Sequence, residues 1–177
     1  MPVRKPRIAV DMDDVIADPL SKFIKLFDRD FGIGADFQPV PGQEIFESVP
    51  PHAGPKWIEY INEKGFFRDL DPMPDSIEVL QKLQEKYEVF IVSAAMEFPN
   101  SLQDKYDWLR DHFPFIDWKH IVFCGIKIVD VDIMIDDRIR NFEDFKGRAL
   151  LYSSPHNMLI QGYERVNNWK EIAGLLL

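Results

Sequence analysis

Five short apolar runs, separated by polar segments along 177 residues, limit this chain to a small set of folds. The runs cover residues 7–10, 87–92, 120–123, 131–135 and 148–152. Near-continuous Ile, Val, Leu and Phe between turn residues are typical of strands that are buried on both faces of a parallel sheet. Because helical spacing of apolar residues appears between several of the runs, the pattern predicts an α/β fold with right-handed crossovers.

Four segments between or after these runs have apolar residues at helical spacing. Their apolar positions are Leu20, Phe23, Ile24, Phe27 and Phe31, then Ile77, Leu80 and Leu83, then Leu102, Tyr106, Leu109 and Phe113, and finally Trp169, Ile172 and Leu176. Asn167 or Asn168 is the predicted N-cap of the last helix, because an Asn side chain accepts a hydrogen bond from the free N–H groups of the first turn.

About 60 residues separate the first run from the helical segment near Pro74, far more than one crossover needs. The stretch is rich in Pro, Gly and aromatic residues, and it contains helical pieces around Phe23 and Trp57. We interpret residues 18–70 as an inserted helical cap over the strand ends. Residues 1–17 and 71–177 then form one α/β core.

The charge balance and the single cysteine exclude several kinds of partner and site. Lys and Arg number 21 against 30 Asp and Glu, so the formal net charge is −9, which disfavours polymeric nucleic acid and anionic membranes. A lone cysteine, Cys124, excludes an intramolecular disulfide and a CxxC metal pair. No apolar run reaches the length of about 18 residues that a membrane span needs, so we expect a cytoplasmic location.

Polar side chains follow four of the five predicted strands. They are Asp11, Asp13 and Asp14 after the first strand, Ser93 at the end of the second, Lys127 after the third, and Asp136 and Asp137 at the end of the fourth. Ligands of open α/β sheets bind outside the carboxyl ends of the strands, so we expect these groups to share one site. Carboxylates suit Mg²⁺, a hydroxyl and a lysine suit phosphate oxygens, and a carboxylate beside the metal can attack phosphorus.

This set of motifs resembles the haloacid dehalogenase-like (HAD) phosphatase superfamily. The first motif of the superfamily matches Asp11-Met12-Asp13, the second matches Ser93, the third matches Lys127, and the fourth matches Asp136-Asp137. Residues 65–74 and 105–108 are similar to the cap-to-core return and to a core helix of the cytosolic and mitochondrial 5'(3')-deoxyribonucleotidases. The resemblance implies a Rossmann-like sheet of five strands, in the order 5-4-1-2-3, and a phosphomonoesterase that acts on nucleoside monophosphates.

The resemblance also implies roles for the motif residues. Asp11 is the nucleophile that forms an aspartyl phosphate, and Asp13 protonates the leaving alcohol and later activates water. Mg²⁺ is held by Asp11, by the backbone carbonyl of Asp13 and by the acidic pair, in which Asp137 is favoured over Asp136 as the direct ligand. The groups that bind phosphate are Ser93, Ala94 and Lys127.

The inserted segment is expected to select the substrate. Phe46, Trp57 and Tyr60 are the candidates for contact with a nucleotide base, because aromatic side chains stack on the flat faces of bases. Two residues depart from the family pattern: Asp14 stands where many relatives carry Gly or Glu, and Pro19 where the nucleotidases place an aromatic residue. The expected partner is a small phosphorylated substrate, with a nucleoside monophosphate favoured and a homodimer left open.

Two other functions compete with this interpretation. The same chemistry would serve another phosphorylated metabolite, such as a sugar phosphate, because the motif residues treat all phosphomonoesters alike. A non-enzymatic phospho-acceptor receiver domain also combines an acidic pair, an acceptor Asp, a hydroxyl and a lysine. In a receiver the lysine comes last in the chain, whereas Lys127 here precedes Asp136, and a receiver has no long insertion after its first strand.

The remaining polar residues are predicted to be structural. The four histidines, His52, His112, His120 and His156, share no ligand spacing. Arg138 is expected to pair with the acidic residues that it follows.

Overall fold

The computed structural model describes residues 4–177. Its strands are β1 (Arg7–Val10), β2 (Ala17–Asp18), β3 (Asp71–Pro72), β4 (Glu88–Ser93), β5 (Ile121–Phe123), β6 (Ile133–Asp136), β7 (Arg148–Tyr152) and β8 (Glu164–Val166). Its α-helices are α1 (Pro19–Phe31), α2 (Ile45–Ser48), α3 (Trp57–Asn62), α4 (Ser76–Lys86), α5 (Ser101–His112) and α6 (Trp169–Leu176). Within residues 4–177, no helix combines the length and the apolar character needed to cross a membrane.

A parallel sheet of six strands lies at the centre of the molecule, in the order β5-β4-β1-β6-β7-β8. The α/β fold is confirmed, and the five predicted strands are neighbours in the predicted order. The predicted count of five is corrected to six, because β8 extends the sheet beyond β7. The sequence Glu164-Arg165-Val166 is short and mostly polar, so it carries no apolar run, and its place at the sheet edge makes that composition compatible with a strand.

Strand β1 is central, and its side chains alternate between two apolar clusters. Ile8 and Val10 belong to the larger cluster, whereas Ala9 belongs to the smaller one on the opposite face. In register, Val10 lies opposite Ile91 of β4 and Ile135 of β6. Burial on both faces therefore explains why the three residues after Arg7 are all apolar, as the sequence pattern predicts.

Two buried tryptophans donate hydrogen bonds that hold two segments against the core: the loop after β1 and the chain just before β3. The indole Nε1 of Trp169 donates to the backbone oxygen of Val15, at 2.7 Å, and Nε1 of Trp108 donates to that of Leu70, also at 2.7 Å. Because both indoles are fully buried, these bonds fix the loop after β1 and the chain that returns from the inserted segment.

Helix ends follow the expected capping chemistry. Helix α1 begins after Asp18, whose side chain accepts from the backbone N–H of Ser21 at 2.9 Å, and ends at Gly32 with a left-handed φ of 64°. Helix α6 begins after Asn168, which accepts from the N–H of Glu171, so the predicted cap is confirmed.

Helix α5 presents a different face to the core from the one that apolar spacing predicts. The predicted face contains Leu102, Tyr106, Leu109 and Phe113, whereas the buried residues of the helix are Ser101, Lys105, Trp108 and Leu109. Of the predicted residues within the helix, only Leu109 is fully buried, since Leu102 and Tyr106 are half-buried. The rotation carries Lys105 into the interior, where the sequence pattern predicts no charge.

The segment between β1 and α4 leaves the core and returns to it at one place. Strands β2 and β3 form a short antiparallel ribbon in which Ala17 lies opposite Pro72 and Asp18 lies opposite Asp71. Helices α1, α2 and α3 lie between these two strands in the chain, and α1 contacts both of the others. The ribbon coincides with the predicted ends of the inserted segment at 18 and 70.

Candidate active site

The polar strand ends meet at one edge of the sheet because the strands that carry them are neighbours. Strand β1 lies between β4 and β6, so Asp11, Ser93 and Asp136 come from three adjacent strands. The backbone N–H of Asp11 donates to the carbonyl of Ile135 at 2.9 Å, which extends the pairing of β1 with β6 to the first catalytic candidate. The side chains of all three residues are buried.

Lys127 links two of these carboxylates. Its Nζ lies 2.7 Å from Oδ1 of Asp11 and 2.6 Å from Oδ2 of Asp136. Burial alone would lower the pKa of Lys127, but the two carboxylates outweigh burial and raise it. The adjacent Ile126 and Ile128 are 79% and 87% exposed. The loop therefore turns the lysine side chain into the protein and leaves its two apolar neighbours in solvent.

Asp136 is saturated with hydrogen-bond donors. Besides Lys127, it accepts from the side-chain amide of Asn141 at 2.9 Å and from the backbone N–H of Arg138 at 2.9 Å. Burial, followed by the charge of Asp11, raises the pKa of Asp136 to about 6. Its oxygens are therefore occupied by the protein itself, and its direct effect is to hold Lys127.

Asp137 instead faces like charges. Burial, and then the carboxylates of Asp14, Asp11 and Asp136, raise the pKa of Asp137 well above its usual range. The carboxylate oxygens of Asp11, Asp136 and Asp137 include atoms that all lie within 4.8 Å of one another. Buried carboxylates at such spacing repel one another unless a cation lies between them, and an all-oxygen set fits a hard divalent ion such as Mg²⁺.

The two carboxylate oxygens of Asp13 differ in their hydrogen bonding. Its Oδ2 pairs with the ammonium of Lys105, and its Oδ1 is buried without a hydrogen-bond partner among residues 4–177. Sequence reasoning missed Lys105, although a local signal exists. Lys105 precedes Trp108 and Leu109 by three and four positions, and follows Ser101 by four, so it shares their buried helix face.

A second group of charged residues surrounds Asp137. The Nε of Arg138 and the Nε2 of His156 each lie 3.3 Å from Oδ2 of Asp137, and Arg138 also bonds to Glu44 of the inserted segment. The predicted pairing of Arg138 with its acidic neighbours is confirmed. Burial, and then Arg138, lower the pKa of His156, whose Nδ1 lies 3.0 Å from Oγ of Ser154.

The positions of His156 and Glu44 have no local sequence signal. They are 19 and 93 residues from Asp137 in the chain, and only folding brings them to it. Asp14, which departs from the family pattern, adopts a left-handed φ of 59°. Burial is the main cause that raises the pKa of Asp14 to about 7, and Arg138 opposes that rise.

A cavity of about 310 Å³ opens above this polar floor. The floor includes the predicted residues Asp11, Asp13, Ala94, Lys127 and Asp137. Ser93 and Asp136 lie behind the floor: they are buried and do not line the cavity, and Oγ of Ser93 accepts from Lys105 at 3.1 Å.

The wall of the cavity is aromatic and apolar. It contains Leu20, Phe23, Phe46, Trp57, Phe67 and Phe98. Phe46 of α2 and Trp57 of α3 stack on each other, with ring centres 4.8 Å apart and 18° between the ring planes. Both predicted aromatic candidates thus line the same cavity as the polar floor, and aromatic rings at a cavity wall can pack against a planar group.

Tyr60, the third aromatic candidate, lies elsewhere, and this corrects the expectation that it contacts a base. It is fully buried inside the inserted segment, where its ring packs edge-on against Phe27 with centres 5.2 Å apart. Its hydroxyl donates to Oδ2 of Asp30 at 2.6 Å. One helical turn separates Trp57 from Tyr60, and α3 presents its first residue to the cavity and Tyr60 to the interior of the segment.

Comparisons with known proteins agree with this geometry. The model of the family described as "5' nucleotidase, deoxy (Pyrimidine), cytosolic type C protein" matches residues 5–177. A protein of Staphylococcus aureus (strain Mu50) is 43% identical over 166 residues, which cover 93% of this chain and 92% of that protein. The 5'(3')-deoxyribonucleotidase of Bacillus subtilis (strain 168) is 37% identical over 178 residues, which cover 98% of this chain and 99% of that protein.

Solved structures agree on the fold. A haloacid dehalogenase-like hydrolase from Streptococcus pneumoniae, SP0104, has a TM-score of 0.61 at 12% identity, with 98% of this chain and 99% of that chain covered. A HAD-hydrolase from Bacillus subtilis, YfnB bound to magnesium, has a TM-score of 0.58 at 14% identity. The match covers 98% of this chain and 99% of that chain. From its motifs and its relatives, the chain belongs to the cytosolic type C 5'(3')-deoxyribonucleotidase family, and it has the fold of HAD-like hydrolases, which confirms the predicted class of phosphoric monoester hydrolase.

Proposed function

We propose that this protein is a metal-dependent phosphomonoesterase that removes phosphate from deoxyribonucleoside 5'- or 3'-monophosphates. The observation that carries the proposal is that one cavity has both an acidic and an aromatic lining. Its acidic floor contains Asp11, Asp13 and Asp137, and its aromatic wall contains the stacked pair Phe46 and Trp57. A phosphate ester of a planar base presents the two matching parts.

In this proposal Mg²⁺ is held by the carboxylates of Asp11 and Asp137 and by the backbone carbonyl of Asp13. When bound, the ion neutralises the phosphoryl oxygens and the buried carboxylates together. Asp136 backs the site through Lys127, because its oxygens already accept from three donors. The YfnB structure, which has the same fold, is described as bound to magnesium, and this is consistent with the assignment.

The chemistry divides between two aspartates. Asp11 attacks phosphorus, so an Oδ–P bond forms while the P–O bond to the alcohol breaks, and Asp13 gives its proton to that alcohol. Asp13 then takes a proton from water as the water oxygen bonds to phosphorus and Asp11 is released. Lys127 and the Ala94 backbone bind the phosphate and keep it in line with Asp11, and the Ser93 hydroxyl supports this edge of the floor from behind.

Residues 18–70 act as a cap in this proposal, over a core formed by residues 1–17 and 71–177. Selectivity then depends on the cap, because the floor contacts only the phosphate and the ester oxygen. The β2–β3 ribbon supports the proposed boundaries, since it joins the start of the segment to its end.

The proposal is tested by phosphate release from a panel of substrates with Mg²⁺ present. The panel contains thymidine 5'- and 3'-monophosphate, deoxyadenosine 5'-monophosphate, uridine 5'-monophosphate and 2-deoxyribose 5-phosphate. We expect the highest kcat/KM with the deoxynucleotides and loss of activity with a chelator. Higher kcat/KM for the baseless sugar phosphate would contradict the nucleotide assignment and favour a metabolite phosphatase.

Asp11→Asn is the matched control for that panel, and it is a prediction in itself. The substitution is isosteric, so the variant should fold, yet an amide cannot act as the nucleophile, and turnover should fall to background. Circular dichroism checks the fold and phosphate release checks the activity. Near-normal phosphate release by the folded variant would contradict the covalent mechanism.

A further inference from the structure

Lys105 is a buried cation that the mechanism above does not use. Its side chain is 2% exposed, although an unpaired charge in a protein interior costs several kcal/mol. Three groups compensate it: Nζ pairs with Oδ2 of Asp13, donates to Oγ of Ser93 at 3.1 Å, and lies 4.5 Å from the centre of the Phe67 ring. Asp13 and Ser93 lie at or directly behind the floor of the cavity, and Phe67 belongs to its wall.

The fold holds the ammonium in one place. Lys105 lies on the buried face of α5, one turn before Trp108, and the indole of Trp108 is itself bonded to the Leu70 carbonyl. The hydrogen bond from Nζ to Ser93 ties the same ammonium to the end of β4. The ammonium is therefore tied to two core elements, and its position does not depend on a mobile surface side chain.

The consequence for Asp13 is that its carboxyl group is held in place from one side. Oδ2 pairs with Lys105, whereas Oδ1 is buried and has no partner within the described part of the chain. The residue still lines the cavity, with 34% of its side chain exposed. The carboxylate cannot rotate without breaking its ion pair with Lys105, so this pair fixes the carboxyl group at the cavity.

We propose that Lys105 is a positioning residue that holds the carboxyl group of Asp13 at the ester oxygen of the substrate. This inference rests on the proposed function, since it assumes that Asp13 exchanges a proton with that oxygen. Lys105 keeps its own proton in both half-reactions: the proton that reaches the alcohol comes from the carboxyl group of Asp13, and the proton lost by water returns there. The effect of Lys105 on turnover passes through Asp13.

A different role, direct binding of phosphate through the Ser93 side of the ammonium, makes a distinct prediction. A phosphate-binding lysine helps every phosphomonoester equally, whatever its leaving group. A residue that positions the general acid helps only substrates whose leaving group needs a proton. Thymidine 5'-monophosphate releases thymidine, an alcohol whose oxygen needs a proton as the P–O bond breaks. p-Nitrophenyl phosphate releases a stable phenolate, which needs no proton.

The test compares kcat/KM of Lys105→Met for these two substrates. Methionine keeps an unbranched apolar chain beside Phe67 and removes the charge. We expect kcat/KM for thymidine 5'-monophosphate to fall by roughly 10²-fold or more, the lower end of the range for loss of a positioned proton donor. The value for p-nitrophenyl phosphate should hardly change, because kcat/KM reports only the steps through the first cleavage.

Asp13 also activates water in the second step, so a further signature is expected. With p-nitrophenyl phosphate, Lys105→Met should give a rapid burst of p-nitrophenolate followed by slow turnover, since the phosphorylated enzyme accumulates. Inhibition by inorganic phosphate should stay as in the wild type. Equal losses with both substrates, together with weaker inhibition by phosphate, would overturn the inference and assign Lys105 to phosphate binding.

Two more variants serve as controls. Lys22 is a comparable lysine, because it pairs with Asp69 and lies 5.0 Å from the centre of the Phe66 ring, but it does not line the cavity. Lys22→Met should therefore leave the activity with both substrates unchanged. Lys105→Arg keeps the buried charge and displaces the donor atoms. If Lys105→Met does not fold, Lys105→Arg should show the same selective loss on a smaller scale, and a loss shared by both substrates overturns the inference.

Failure of the proposed function looks different. If the wild type releases no phosphate from deoxynucleotides but hydrolyses another alkyl phosphate, the substrate assignment is wrong. The comparison of leaving groups is then made with that alkyl phosphate and p-nitrophenyl phosphate, and its outcome still decides the role of Lys105.

Discussion

Asp11, Asp136 and Asp137 carry the same functional group at one sheet edge, and the donors around each one differentiate them. Asp11 accepts from Lys127 and from the backbone N–H of Met12 at 2.7 Å. Asp136 accepts from three separate donors, whereas the neighbours of Asp137 include three other carboxylates. This difference supports the proposed choice of Asp137, and not Asp136, as the direct metal ligand.

The first residue-scale prediction concerns the metal. Asp137→Asn should lower the affinity for Mg²⁺ by at least about tenfold, as expected for loss of a directly coordinating oxygen. Asp136→Asn should keep most of that affinity but lower the free energy of unfolding by roughly 1–3 kcal/mol, because it weakens the pairing of buried Lys127. Titration calorimetry and urea unfolding measure the two effects, and the opposite order of affinities would reverse our assignment of the direct ligand.

At the scale of elements, the short helices α2 and α3 bring Phe46 and Trp57 into contact. Neither helix is long enough to be stable alone, so the stacked pair depends on packing within the inserted segment. α3 places its first residue at the cavity and Tyr60, one turn later, in the interior. The same element therefore supplies one candidate contact for a base and one structural residue.

This division predicts different results for the two residues. Trp57→Ala should lower kcat/KM for thymidine 5'-monophosphate by one to two decades, since base stacking contributes about 1–3 kcal/mol. Activity with 2-deoxyribose 5-phosphate should hardly change, because that substrate has no base. Equal losses with both substrates would mean that the aromatic pair only stabilises the segment.

Tyr60→Phe is the matched variant on the same helix, and its effect should be on stability. Arg29 and then Tyr60 donate to Asp30 and lower its pKa, so this carboxylate stabilises the fold above the ordinary pKa of an aspartate and loses that effect on acidification. We expect Tyr60→Phe to lower the melting temperature at pH 7. The difference from wild type should shrink only at a pH well below the ordinary pKa of an aspartate, where Asp30 of the folded protein takes up a proton. A large change in kcat/KM would contradict the buried position of Tyr60.

At the scale of the whole molecule, carboxylates of the core and of the inserted segment line the same cavity. Arg138 connects the two, since it lies beside Asp137 of the core and bonds to Glu44 of the segment. Cation binding between the carboxylates should therefore stabilise the entire fold, because the ion binds the native arrangement and not the unfolded chain.

Addition of Mg²⁺ at about 100 times its dissociation constant should stabilise the protein by about 2.7 kcal/mol. For a chain of this size, such a gain raises the melting temperature by roughly 5–10 °C. Scanning calorimetry with and without a chelator measures the shift, and Asp137→Asn should show little of it. An equal rise in Asp137→Asn would place the stabilising ion outside the acidic floor.

Most of the fold follows from local pattern. Strands β1, β4, β5, β6 and β7 are visible as apolar runs because their apolar residues pack into the two clusters on opposite faces of the sheet. The positions of Asp11, Lys127 and Asp136 follow as well, since each stands at or just after the end of such a run. Strand β8 escapes the pattern because an edge strand need not be apolar.

Only the tertiary structure decides which polar groups become partners. Lys105 pairs with Asp13, which is 92 residues away in the chain. His156 contacts Asp137, which is 19 residues away, and the hydroxyl of Tyr60 donates to Asp30 and does not face the cavity. Apolar periodicity reports which side of an element is buried, because burial of apolar area depends little on the identity of the neighbour. A hydrogen bond or ion pair requires two specific atoms at about 3 Å, and that distance is set by the packing of segments that the sequence keeps far apart.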